Sequence, residues 1–161
     1  MVNVIGLGYI SKKLDSHFVI DAVKDVLNVC PKGATLVIES TISPGTIDRC
    51  ICPIIEESGF KVGKDIHLAH APERIIPGNM VYELMHNNRT IGADEPAIGE
   101  KIKTLYATFC QGKIVTTSIR SAEMTKVVEN TFRAVNIAFA NELAKICRHA
   151  GMDVYEIIQI C

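Results

Sequence analysis

Ser121–Gly151, SAEMTKVVENTFRAVNIAFANELAKICRHAG, decides how the chain is read. Met124, Val127, Val128, Val135, Ala138, Phe139, Leu143, Ile146 and Cys147 recur at three- and four-residue steps, the period of an α-helix. No Pro or Gly interrupts the run, and Gly151 supplies a stop, because glycine accepts the left-handed conformation at a helix C-terminus. Asp153 then caps a last helix, with Glu156 three residues on as the partner of a capping box. At ~1.5 Å per residue the long helix spans about 45 Å, more than a small domain needs to cover its own core. Such a helix joins two domains or packs against a second subunit. One of its faces is polar: Lys126 and Asn130 are four apart, and Arg133 lies three further on the same side. A solvated stripe and a Lys/Asn pair projecting into a cleft both fit that spacing.

Outward from the helix, composition narrows the class. The chain has 161 residues, enough for a domain with a core of its own, and a net charge of −1. Lys and Arg are scattered, Trp is absent and aromatics make up 6%, so neither phosphate tracking nor base stacking is supported and no nucleic-acid partner is expected. Apolar runs are far too short to cross a membrane. Met1–Ile10 has no charged leader and no small-residue cleavage site, so a signal peptide is not expected and the default compartment is the cytoplasm. The six cysteines form no CxxC pair; most fall among apolar residues of predicted helices and read as free, buried thiols in a reducing compartment. His67 and His70, three apart on a strand, face opposite sides, which argues against a metal site.

Before the long helix, short apolar strands alternate with helices. Met1–Ile10, MVNVIGLGYI, is a buried-strand pattern containing Gly6-Leu7-Gly8, the opening of a dinucleotide-binding turn; the third glycine of a full fingerprint is replaced by Ser11. A helix is predicted over His17–Cys30, capped by Asp15 or Ser16, then a turn at Pro31-Lys32-Gly33 and a strand over Ala34–Ile38 apolar enough for burial on both faces. That strand ends in Glu39-Ser40-Thr41, ahead of a helix from Thr46 to Ser58. Ile66–Ala69 is the next strand and runs into His70-Ala71-Pro72-Glu73. Polar residues thus gather where strands end and helices begin, the ligand-binding end of an open α/β sheet. A strand over Arg89–Gly92, a helix from Glu95 to about Cys110 and a strand over Lys113–Thr117 complete the pattern. The predicted class is α/β: a partial Rossmann-like sheet of parallel strands with flanking helices over residues 1–118, followed by a long-helix central segment over residues 119–161.

Four motifs in order, GLGYI, ESTISPGT (Glu39–Thr46), APERIIPG (Ala71–Gly78) and AEMTKVVENTFRAVNIAFANELAKIC (Ala122–Cys147), resemble the UDP-glucose/GDP-mannose dehydrogenase family, and within it the enzymes that oxidise UDP-N-acetyl-D-mannosamine. The resemblance covers nearly everything from about Leu14 onward. It implies NAD-dependent oxidation of the C6 hydroxyl of a UDP-sugar to the carboxylate through a cysteine thiohemiacetal and thioester. Matched position by position, it implies that Glu73 handles the hydrolytic water and proton transfer, that Lys126 stabilises the developing oxyanion, that Asn130 helps hold that oxygen, and that Thr41 lies near the nicotinamide and the reacting carbon. Gly6, Gly8, Ser40, Thr41 and Gly45 would border the cofactor. The resemblance further implies a homodimer through Ser121–Ala150. It departs from the family in two places: Ile10 is followed almost at once by the helix of His17–Cys30, and the context of Cys161, EIIQIC, does not match the glycine-rich segment that carries the family's nucleophilic cysteine. The expectation is therefore that this chain by itself is inactive. Two other readings compete. One is a β-hydroxyacid or 6-phosphogluconate-type dehydrogenase, whose long helix also carries Lys and Asn four apart, and against which ESTISPGT and PERIIPG argue. The other is a non-catalytic dimerising fragment with a vestigial site.

Overall fold

The structure, a computed structural model, describes residues 9–10, 13–14, 16–75 and 78–161. Gly6, Gly8 and most of the first predicted strand lie outside them. What is described there is a small ribbon, β1 (Tyr9–Ile10) paired antiparallel with β2 (Lys13–Leu14). The chain forms two compact units, Met1–Lys126 and Val127–Cys161.

In the first unit, α1 (His17–Leu27) buries Val19, Val23 and Leu27, the inward stripe of its helical period. Gly33, at φ +84°, turns the chain into β3 (Ala34–Ile38). The helix predicted from Thr46 is present in two parts: a π-helical turn over Ile47–Ile51, then α2 (Cys52–Glu57). Pro53 accounts for the widening. It has no N–H to bond back to residue 49 and its ring crowds that carbonyl, so the ladder shifts and the Cys52 N–H reaches Ile47 O instead. β4 (Ile66–His70) follows, then α3 (Met80–His86), β5 (Arg89–Ala93), α4 (Pro96–Tyr106) and β6 (Ile114–Ser118).

The main sheet has the order β3-β4-β5-β6. β3 and β4 are parallel in the register Ala34↔Ile66 to Ile38↔His70, and β5 and β6 are parallel from Arg89↔Ile114 to Ala93↔Ser118. The sheet is mostly parallel, as expected of a partial Rossmann-like sheet, with one exception at the centre, where β4 and β5 are antiparallel through Ala69↔Ala93 and His70↔Gly92. The connection explains this. Five residues of strand cover about 16 Å, whereas the seven of α3 cover about 10 Å and bury none of their residues. That helix is too short to carry the chain back along the sheet, so β5 starts from the end at which β4 finished. The core fills both faces. Ile38, Ile66 and Leu68 pack with α1 and with Ile47, Ile51 and Ile55, while Ala69 and Ile91 pack with Ile98, Ile102 and Tyr106 of α4.

The long helix α5 runs over Ile119–His149. Gly92 lets its first turn approach β5: a Cβ there would stand 2.7 Å from Ile119 Cα and 2.7 Å from Ser118 O. In the second unit the helix ends as its sequence predicts, with Gly151 at φ +68°, Met152 N–H on Cys147 O at 2.8 Å and Gly151 N–H on Arg148 O at 3.4 Å, a Schellman arrangement. Asp153 caps α6 (Val154–Ile160) by accepting from Tyr155 N–H at 2.9 Å. All six cysteines are free, with Cys110 and Cys147 buried. Among the described residues no helix is long and apolar enough to cross a membrane.

Candidate active site

The C-terminal ends of β3 and β4 and the first turns of α5 meet in the first unit. Ile38 O accepts from Ala71 N–H at 3.0 Å and from His70 Nδ1 at 2.8 Å, and Glu39 O accepts from Glu73 N–H at 3.2 Å. The segment after β4 is thereby laid along the segment after β3, so Glu73 lies beside the stretch that carries Ser40 and Thr41. Glu73 is half-buried, and its Oε2 accepts from Ile75 N–H at 2.6 Å. Lys126, half-buried on α5, donates from Nζ to the main-chain oxygen of Glu73 at 2.6 Å. The ammonium is thus fixed at the end of β4. Ser40 and Thr41 are half-buried. Asn130 follows one turn after Lys126 and is exposed, in the second unit.

Gly45 is buried, at φ +84°. Its N–H donates to Glu123 Oε2 at 2.5 Å, while Ile47 N–H donates to Oε1 at 3.1 Å. Glu123 is fully buried. Its carboxylate satisfies the first-turn Ile47 N–H that the helical segment would leave orphaned, together with the Gly45 N–H of the preceding loop, and it lies at the positive end of that segment's dipole. The same side chain fastens the loop after Thr41 to α5 three residues before Lys126. Sequence reasoning quoted Glu123 within a motif without assigning it a role. Its one signal is a carboxylate flanked by Ala122 and Met124 in the first turns of a helix.

Three more buried polar residues, Glu39, Arg89 and His70, went unassigned. Glu39 accepts a hydrogen bond from the Tyr106 hydroxyl, and Arg89 stacks on the Tyr106 ring at 5.0 Å and on Phe109 at 5.8 Å. Burial, with the adjacent Glu39 carboxylate adding to it, pushes the Tyr106 phenol well above its ordinary pKa. His70 is fully buried, and burial lowers its pKa to about 4 against the opposing bond to Ile38. Because a carbonyl only accepts, Nδ1 carries the proton of the neutral ring. Among the described residues no group of three or more His, Cys, Asp or Glu could hold a metal ion.

The sequence profile of the UDP-glucose/GDP-mannose dehydrogenase NAD binding domain matches residues 9–110, and that of the central domain matches residues 120–161. The chain belongs to the UDP-glucose/GDP-mannose dehydrogenase family. It is similar to UDP-N-acetyl-D-mannosamine dehydrogenase of Methanococcus vannielii, 43% identical over 150 residues that cover 93% of this chain and 33% of that protein. Two solved structures share its fold: the UDP-N-acetyl-mannosamine dehydrogenase of Staphylococcus aureus (TM-score 0.81, 46% identity, 92% of this chain and 36% of that one) and the UDP-D-ManNAc dehydrogenase of Pyrococcus horikoshii (TM-score 0.85, 40% identity, 91% and 35%). The chain spans about a third of the length of these relatives. Ser40 and Thr41, half-buried, follow the C-terminal end of β3, the end of the sheet at which open α/β folds bind ligands. Gly6 and Gly8, on which a pyrophosphate would rest, lie outside the described residues.

Proposed function

We propose that this chain carries the hydride-transfer side of an NAD-dependent nucleotide-sugar dehydrogenase site, acting on the C6 hydroxyl of UDP-N-acetyl-D-mannosamine or a related UDP-sugar on the way to the uronate. The observation that carries this reading is the Lys126 ammonium seated at 2.6 Å on the Glu73 carbonyl, beside the segment bearing Thr41. NAD, when bound, supplies the hydride acceptor. Thr41 orients the sugar's hydroxyl at the strand end. Lys126 holds negative charge as it develops on the reacting oxygen, where partial burial strengthens its field. Glu73 moves the proton or orients water, and Asn130, one turn past Lys126, shares that oxygen. In this reading residues 1–118 are the partial NAD-binding domain and residues 119–161 the central one. The setting is cytoplasmic, in the supply of uronates for polysaccharide biosynthesis.

Titrating NAD with UDP-N-acetylmannosamine while following the amide resonances of Ser40, Thr41, Glu73 and Lys126 tests the reading. Shifts centred on those four positions and lost in Lys126→Ala are expected; no shift, or shifts centred elsewhere, would sink it.

The same reading makes the chain a homodimer through α5. Phe132, Val135 and Phe139, at i, i+3 and i+7 of the helix, are 61–70% exposed, an apolar stripe suited to association. Val135→Asp with Phe139→Asp should leave monomer or insoluble protein. A soluble dimer that survives both substitutions counts against the interface.

A further inference from the structure

The face of the main sheet covered by α4 is apolar except at one end. Val37, Ala69, Ala71, Ile91 and Ala93 pack with α4 there. Side chains alternate along a strand, so Arg89 shares this face with Ile91, and Glu39 shares it with Val37. Glu39 and Arg89 are both buried, and Tyr106 of α4, itself buried, meets both. Its hydroxyl donates to the Glu39 carboxylate, and the Arg89 guanidinium stacks on its ring at 5.0 Å.

Apolar side chains would hold α4 to the sheet without the cost of burying a carboxylate and a guanidinium. What the hydrogen bond adds is direction: it fixes where Glu39 stands. Glu39 stands where the ladder between β3 and β4 changes. Ile38 O accepts from Ala71 N–H at 3.0 Å, and the next bond runs from Glu73 N–H to Glu39 O at 3.2 Å. Two residues after β4 are thus matched to one after β3, the count of a β-bulge, which re-aims a side chain as a ladder ends. The oxygen that receives Glu73 and the carboxylate that Tyr106 holds belong to one residue, and Thr41 follows it by two. From α5, Lys126 closes on the same point through the Glu73 carbonyl at 2.6 Å.

We propose that Tyr106, acting through Glu39, is a positioning residue of the dehydrogenase site: the phenol fixes Glu39, and Glu39 sets the placement of Thr41 relative to Glu73. Arg89, stacked on the ring, keeps the phenol aimed. The inference rests on the proposed roles of Thr41 and Glu73.

Tyr106→Phe, in the full chain without ligand, tests it. Loss of the hydroxyl is expected to move the Thr41 amide resonance and to quicken exchange of the Glu73 amide about tenfold, the factor set by one hydrogen bond to a charged acceptor, while β5 amides keep their protection. Ile102→Val trims the same core cluster without touching the hydroxyl. It should lower the urea midpoint and leave Thr41 and Glu73 as in the parent. Glu39→Gln keeps an acceptor for the phenol and should also leave them in place. Thr41 and Glu73 unmoved by Tyr106→Phe, or moved as far by Ile102→Val or by Glu39→Gln, overturns the proposal. Should Tyr106→Phe fail to fold, Glu39→Ala withdraws the acceptor from the other side, and unchanged exchange of the Glu73 amide then overturns the proposal as well. No ligand takes part, so failure here is distinct from failure of the titration with NAD and UDP-N-acetylmannosamine.

Discussion

The two units of this chain spend their apolar residues differently. In Met1–Lys126, Ile38, Ile47, Ile51, Ile55, Ile66, Leu68 and Ile91 are all at or below 5% exposed, and they close the core from both faces of one sheet. In Val127–Cys161, Cys147 is the one buried core residue described, while Val135, Phe139, Ile146, Tyr155 and Ile160 are 60–76% exposed. An apolar period makes a helix in both places. The first unit covers its apolar faces from within, whereas the second, taken by itself, keeps them exposed.

The sharpest way to break that contrast is to remove the buried carboxylate that organises the first unit. Glu123→Ala leaves the Gly45 and Ile47 N–H groups without an acceptor in a buried place. At roughly 1–3 kcal/mol per buried donor left unsatisfied, a loss of about 4 kcal/mol is expected in urea unfolding, shared by the whole first unit. Glu123→Gln keeps one acceptor oxygen and should lose less. Equal and small losses in both variants would mean that the loop after Thr41 is held by packing and not by Glu123.

A smaller effect should come from pH, again in the first unit. His70 has a folded-state pKa of about 4, depressed from 6.5. Above pH 6.5 both the folded and unfolded forms are neutral and the group is indifferent. As pH falls below 6.5 the unfolded chain takes up a proton that the folded chain refuses, so stability drops until about pH 4 and the contribution then levels off. At 1.36 kcal/mol per unit the full drop is about 3 kcal/mol. Urea midpoints across that window should fall less steeply in His70→Leu than in the parent. Parallel slopes would show that His70 gains protonation without cost, through an opening the folded structure does not have.

The contrast between the units also separates what was legible in the sequence from what was not. The helix of Ile119–His149, its Gly151 stop and the Asp153 cap follow from local chemistry, and the sequence reading places them within two residues. The strands over Ala34–Ile38 and Ile66–His70 follow from apolar runs bounded by turns. The antiparallel step between β4 and β5 was hidden because it depends on α3, whose exposed Met80, Val81 and Tyr82 give no amphipathic stripe to read. For the site, spacing alone left Lys126 and Asn130 open between a solvated face and a cleft, and the family's ordered motifs weighted the cleft. The bond from Lys126 to the Glu73 carbonyl joins positions 53 apart, and that of Gly45 to Glu123 joins positions 78 apart. No local pattern contains such pairs.

The smallest expected effect lies in the second unit and sharpens the comparison most directly. Asp153 caps α6, a seven-residue helix with no fully buried residue, through its bond with Tyr155 N–H. Asp153→Ala removes the acceptor, at a cost of about 1 kcal/mol for a capping side chain. A helix this short has little margin of its own, so that cost should appear locally. Amide exchange over Val154–Ile160 is expected to quicken by about fivefold, the factor that 1 kcal/mol sets in an opening equilibrium. The urea midpoint of the first unit should stay where it is. If Asp153→Ala instead lowers that midpoint, α6 is coupled to the core of the first unit, and the division into two separately stable units fails.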